Sequence, residues 1–177
     1  MARALWCFDW RFIGIQAGRR PCAPSRTEPP PPIAAVWTFC DTDADRAQAL
    51  AQRYIGGYWD TVIRHYEFTG DHFATTKGYE YYGRLSEMVG KHGSQGVSDF
   101  FLNLQAWGTP AQCFEKIVDI RARVGCETVV GVFSYAGMPP AEAERNLRLF
   151  AREVMPELQR LGPATAASGA GRPQPML

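Results

Sequence analysis

Apolar residues first form a pattern in the run Ile33-Ala34-Ala35-Val36-Trp37-Thr38-Phe39-Cys40, unbroken except for one Thr. An unbroken run, unlike an alternating one, predicts a strand covered on both faces, as in a parallel sheet. Asp41-Thr42-Asp43 follows and offers side-chain oxygens and negative charge for a helix start. From Ala47 through Leu50, Ala51, Tyr54, Ile55, Tyr58 and on to Tyr66, apolar positions then recur at steps of three and one. That spacing is one face of a helix. Gly56-Gly57 lies in its middle. Each Gly costs about 1 kcal/mol relative to Ala, so the pair predicts a bend or a close helix contact.

Residues 69–108 are less regular. Gly70, Asp71, Thr75, Thr76 and Gly78 read as a loop. Tyr79, Tyr82, Leu85, Met88 and Val89 have helical spacing, which Gly90 or Gly93 ends. Ser98-Asp99 can cap a further short helix through Phe100 to Leu104. His72 and His92 have no partner at useful spacing and read as solvated loop residues.

Residues 109–161 are clearer. Thr109-Pro110-Ala111-Gln112 combines a cap, a Pro at the first helical position and a Gln three residues after the cap. The helix it opens stops at Gly125. Thr128 to Tyr135 is a β-branched, buried-type strand. Ala136-Gly137-Met138-Pro139-Pro140 is a loop, and a long helix from Ala143 to Leu158 follows, loosened near its end by Pro156.

The chain therefore divides into an irregular Pro-rich segment (1–32), an α/β domain (33–161) and a small-residue tail (162–177) predicted to be disordered. In the first segment Pro29 to Pro32 read as an extended spacer, and the apolar piece Trp6 to Ile15 has no context to place it. The order strand, helix, insertion, helix, strand, helix implies parallel strands joined by right-handed crossovers. Ligands of such sheets bind at the carboxyl ends of the strands. That places the candidate site after Phe39 and after Phe133, in the loop Ser134-Tyr135-Ala136-Gly137-Met138.

Composition narrows the function. The 177 residues are 46% hydrophobic and 21% charged, with a net charge of +1. No concentrated basic face exists to hold nucleic acid, and no polybasic run to hold a membrane surface. The longest apolar runs fall far short of the roughly 20 residues of a membrane span. Cysteines at 7, 22, 40, 113 and 126 are odd in number and lack metal-ligand spacing, which points to a reducing, cytoplasmic setting without a metal site. No phosphate-binding, zinc-protease or nucleophile-elbow motif is present. Asp41 and Asp43 read as helix caps in preference to a catalytic carboxylate pair, and Glu80 as part of a surface aromatic patch.

The stretch WGTPAQCFEKIVDIRARVGCETVVGVFSYAGMPPAEAERNLRLFAREVMPEL resembles the carboxyl-terminal end of the luciferase-like flavin-dependent monooxygenases. So do AAVWTFCDTDADRAQALAQRYIGGYW upstream and KGYEYYGRLSEM between them. The resemblance covers roughly residues 32–161, and its motifs keep the family's order. It implies the carboxyl-terminal part of a (β/α)8 TIM barrel that binds reduced FMN and activates O2 at its C4a to oxygenate a small organic substrate. It places Phe133, Ser134, Tyr135, Gly137 and Met138 at the pocket mouth and Trp107 in the pocket wall. Tyr79 and Tyr82 then lie on a lid. An F420-type deazaflavin, used by related barrels, is the alternative cofactor. A whole barrel takes about 250 residues, and only two strands are evident here. Residues 1–32 do not resemble the family and read as an unrelated start. The expectation is an incomplete, truncated barrel, inactive alone, that self-associates or pairs with another barrel chain as a non-catalytic subunit.

Overall fold

The computed structural model describes residues 31–68, 70, 72–77 and 80–162. The segment 1–30, the tail after Gly162, Tyr79, and the side chains of Glu80, Tyr82 and His92 lie outside the described residues. In chain order the elements are β1 (Ile33–Cys40), α1 (Ala44–Ala51), a π-helical turn (Gln52–Gly56), α2 (Gly57–His65), α3 (His72–Thr75), α4 (Glu80–Asn103), β2 (Ala106–Gly108), α5 (Pro110–Val124), β3 (Thr128–Val132), α6 (Pro140–Glu153) and α7 (Met155–Gln159).

The three strands form one parallel sheet in the order β2-β1-β3. The pairing is staggered along β1. Its first part, Ile33 to Trp37, pairs with Thr128 to Val132 of β3. Its last part, Thr38 to Cys40, pairs with Ala106 to Gly108 of β2. This is a mixed α/β architecture with helices on both faces. A closed barrel is not present among the described residues. Successive barrel strands lie side by side, whereas here β1 sits between the two strands that follow it.

Alternation along β1 separates two cores. Ala34, Val36 and Cys40 pack against Cys113, Ile117, Ile120, Leu149, Phe150 and Val154 of α5, α6 and the residue between α6 and α7. Phe39 faces the other way, onto Ala51, Tyr54, Ile55, Phe101, Leu102, Tyr135 and Met138. Phe39 is fully buried, a contribution of about 1.5–3 kcal/mol. The strand is covered on both faces only toward its carboxyl end. Ile33 is 59% exposed and Val130, paired with Ala35, 48%, so the expectation of full cover fails for the first half of the strand.

Local signals act as the sequence suggested around α5. Thr109 and Gln112 form a reciprocal capping box, and Gly125 closes the helix in the left-handed region at φ 68°. Asp43 caps α1 by accepting from the Asp45 and Arg46 amides. The Gly56-Gly57 pair coincides with the π-helical turn, whose widened backbone lets Tyr54, Ile55 and Gly56 all be buried. A Cβ on Gly56 would lie 3.4 Å from the Ser98 hydroxyl oxygen, so this glycine admits α4. Ser98 is buried in that contact and caps nothing, because α4 is already under way. The helix bends at Gly93, which has non-helical angles. Nothing in the sequence pattern marks β2, whose three residues follow a buried Gln, end on a glycine and are too few for strand periodicity.

Candidate functional site

Each end of the stagger along β1 leaves backbone groups of the central strand without a strand beside them. Two buried side-chain amides occupy those places. On the β2 side, Gln105 Oε1 accepts from the Trp37 amide at 3.1 Å while its Nε2 donates to the Phe101 carbonyl at 3.2 Å. On the β3 side, Asn146 Oδ1 accepts from the Cys40 amide at 2.7 Å and Nδ2 donates to the Thr38 carbonyl at 2.9 Å. The Tyr135 hydroxyl donates to the same carbonyl at 3.1 Å. In an open parallel sheet, ligands favour the crevice where strand order reverses. Here that crevice, between β1 and β3, is filled by Tyr135 and Asn146.

Above it lies a four-member ion network. Asp41, 2% exposed, is paired with Arg46 and, at 2.7 Å, with Arg145. Glu142 at the start of α6 is paired with both arginines, at 2.7 Å from Arg46. Asp41 also accepts from the Asp43 amide at 3.1 Å. Asp43 is therefore the cap, as its position suggested, whereas Asp41 ties the carboxyl end of β1 to the two following helices. Sequence reasoning missed Gln105, Asn146, Arg46, Glu142 and Arg145. The only signal was the polar position of Asn146 on an otherwise apolar helix stripe.

The structure brings three of the six candidate site residues into one cluster. Tyr135 and Met138 are buried there, and Trp107 is half-buried against them. Trp107 is fixed by its indole N–H, which donates to the Leu102 carbonyl at 2.8 Å. Phe133 lies in the opposite cluster. Its ring covers Gly131 and meets Phe150 edge-on at 5.1 Å. Ser134 and Gly137 are exposed. The loop turns through Ala136 and Gly137, at φ 51° and 69°, with the Met138 amide donating to the Tyr135 carbonyl at 3.0 Å. Two successive left-handed residues define a turn that normally takes Gly or Asn.

The ionisable groups are set by burial. Desolvation pushes the Tyr135 phenol well above its ordinary value, so it donates to Thr38 and cannot act as a base near neutrality. A hydrogen bond to Cys40 and burial push Cys113 up, and burial pushes Cys126 up. Protonated thiols of that kind are poor nucleophiles. Burial lowers Lys116 to about 8.

Beside the cluster stands an aromatic wall. Trp37 lies 4.6 Å from Tyr58, and Trp59 stacks on Phe101 at 4.4 Å with an interplanar angle of 12°. The Trp59 indole nitrogen is buried without an acceptor. A wall of this kind suits a flat ring by stacking. A flavin mononucleotide also needs donors for its phosphate, and Arg46 and Arg145 at this end of the sheet are both committed to carboxylates. The rings of the wall already pack on one another and both arginines are engaged, so the described residues do not by themselves define a flavin site. Among them, no group of three or more His, Cys, Asp or Glu can hold a metal ion, and no helix is long and apolar enough to cross a membrane.

What fold and site define together is a mixed α/β protein with a small parallel sheet and an aromatic cluster at its carboxyl end. No protein-family model and no curated protein matches the chain. Among solved structures it is similar to the crystal structure of the monooxygenase RslO1 from Streptomyces bottropensis, with 21% identity and a TM-score of 0.41. That match covers 71% of this chain and 30% of the monooxygenase. The chain thus spans under a third of that protein's length, and a likeness of this degree fixes neither fold nor activity.

Proposed function

We propose that the chain is a segment of a luciferase-like flavin-dependent monooxygenase of the cytoplasm that supplies one wall of the ring pocket. What carries this reading is the loop FSYAGM, which resembles the family's and whose Tyr135 and Met138 share a cluster with Phe39 and Trp107 at the carboxyl ends of the strands. The FMN or F420 cofactor, O2 and the organic substrate come with the resemblance, as does the barrel, whose strand order the three described strands do not follow. In this reading the residues exclude water and orient a flat ring, and the cofactor supplies the oxygen chemistry. The phosphate is held by strands from elsewhere, since the arginines here are committed.

A second reading, a non-catalytic partner of another barrel chain, is favoured by the bare part of the sheet. Ile33 and Val130 are exposed on adjoining strands, and among the described residues β2 and β3 each have an open edge. Exposed parallel edges invite another chain.

Titration of the purified chain with FMN and with F420, read by cofactor fluorescence and sedimentation, tests both. Saturable micromolar binding, about −8 kcal/mol, supports the first reading. Self-association without binding supports the second. A monomer that binds neither cofactor defeats both.

A further inference from the structure

On one face of the sheet, cover runs out toward the amino end of β1. Ile33, Ala35, Trp37 and Phe39 alternate onto that face. Phe39 is fully buried and Trp37 half-buried, whereas Ala35 and Ile33 are exposed. β3 widens the same strip. Val132 stands beside Trp37, and the exposed Val130 beside Ala35. The opposite face of β1 has no such gap, since Ala34 and Val36 are buried among side chains of α5 and α6. Apolar side chains grouped on adjoining strands, continuous with the aromatic cluster, mark a contact surface. The chain that precedes β1 joins the sheet at this same end, through Pro31 and Pro32.

We propose that residues 6–15 of the same chain cover this strip. Their sequence is WCFDWRFIGI, with Trp6, Phe8, Trp10 and Phe12 at alternate positions and Asp9 and Arg11 as the only charges. Laid extended, such a segment puts all four aromatic rings on one side and both charges on the other. Residues 16–32, which follow, contain no aromatic residue and no Val, Ile, Leu or Met. They therefore act as a tether and do not compete for the strip. A tether of that length reaches at most about 55 Å, and the strip from Ile33 to Trp37 is only about 13 Å long. A short flexible tether holds its ends at an effective concentration on the order of millimolar. A separate chain at micromolar concentration competes poorly with that, so the occupant is the chain's own segment and not a second copy. The inference does not depend on flavin binding. It gives to the chain itself the face that the second reading gives to a partner.

The test is amide hydrogen exchange of the full chain, read by mass spectrometry at low and at high micromolar concentration. Residues 6–15 are expected to exchange at least about tenfold more slowly than the same sequence as a free synthetic peptide. Val130→Asp puts a charge on the strip. It should return residues 6–15 to the peptide rate and leave α5 protected. Exchange of residues 6–15 at the peptide rate in the unaltered chain overturns the proposal, and so does protection that survives Val130→Asp. Protection that fades on dilution assigns the strip to a second copy and overturns it as well. Should the Asp variant not fold, benzoylphenylalanine in place of Val130 decides. Photolysis of the dilute chain should then join position 130 to residues 6–15 of the same molecule, and a product lacking that link defeats the inference.

Discussion

The carboxamide of Asn146 stands in for a strand beside Cys40: it accepts that residue's amide at 2.7 Å and returns a hydrogen bond to the Thr38 carbonyl at 2.9 Å. β3 stops at Val132, opposite Trp37, and the ladder is continued from a helix. Removing the carboxamide strands a buried donor. Asn146→Ala is expected to cost about 2–4 kcal/mol, from an unpaired amide and a cavity. Asn146→Asp keeps the acceptor but turns a carboxylate oxygen toward the Thr38 carbonyl. It should be destabilised too, and more at neutral than at acid pH. Urea unfolding at two pH values checks both. An Ala variant of unaltered stability would show that the ladder does not need the side chain.

Asp41 is the hub through which β1 holds α1 and α6. Its removal leaves Arg46 and Arg145 short of a partner. Breaking a fully buried pair costs 3–5 kcal/mol as a rule, but these arginines are 39% and 43% exposed and can rehydrate. Asp41→Asn is therefore expected to lose about 1–3 kcal/mol. A double-mutant cycle with Arg145→Gln should show positive coupling. Strict additivity would mean that the network is incidental.

Ala136 sits at φ 51° with no glycine's freedom. Ala136→Gly should stabilise the chain by about 1 kcal/mol, since a left-handed non-glycine residue costs roughly that much. Gly137, at φ 69°, has open space around a would-be Cβ. Gly137→Ala should then cost about 1 kcal/mol from backbone strain alone. Thermal unfolding of the pair of variants gives opposite shifts if the turn is as described, and equal shifts if it is not.

Lys116 makes stability depend on pH with a definite sign. Its folded value, about 8, lies below the ordinary 10.5. Between the two the unfolded chain holds more protons, so the lysine's unfavourable contribution fades as pH rises through that window. The phenols of Tyr58 and Tyr135 and the Cys126 thiol, pushed upward by burial, and the Cys113 thiol, pushed upward by its hydrogen bond to Cys40 and by burial, oppose it in alkali. The readout is therefore a difference. Relative to Lys116→Met, the unaltered chain should gain stability from pH 8 toward 10, measured by denaturant titration. A constant difference would contradict the burial of the ammonium.

Local chemistry was legible in the sequence. The Thr109 box, the Gly125 stop and the Asp43 cap each need only neighbours within four residues, and each stands as expected. What was not legible depends on partners far along the chain. Asp41 reads as a cap until Arg145 is brought to it, Gln105 carries no pattern, and Asn146 shows only as a polar position on an apolar helix stripe. Phe133 illustrates the same limit. It lies two residues from Tyr135, just past the end of β3, yet its ring folds back over the bare backbone of Gly131 into the opposite core. The loop was correctly placed at a strand's carboxyl end, yet position along the chain could not say which of its side chains face one another.

The central place of β1 sets the order in which the chain can assemble. It is the earliest described strand, and neither of its neighbours exists when it is made. The Trp37 amide waits for Gln105, 68 residues later, and the Thr38 carbonyl for Asn146, 108 residues later. Almost none of the sheet can form from local contacts, so closure of long loops precedes most of the enthalpic return. During synthesis an apolar strand with two unpaired edges leads the rest of the domain by most of its length. Folding should be slow for a domain of this size, and chaperone dependence should concentrate on Ile33–Cys40.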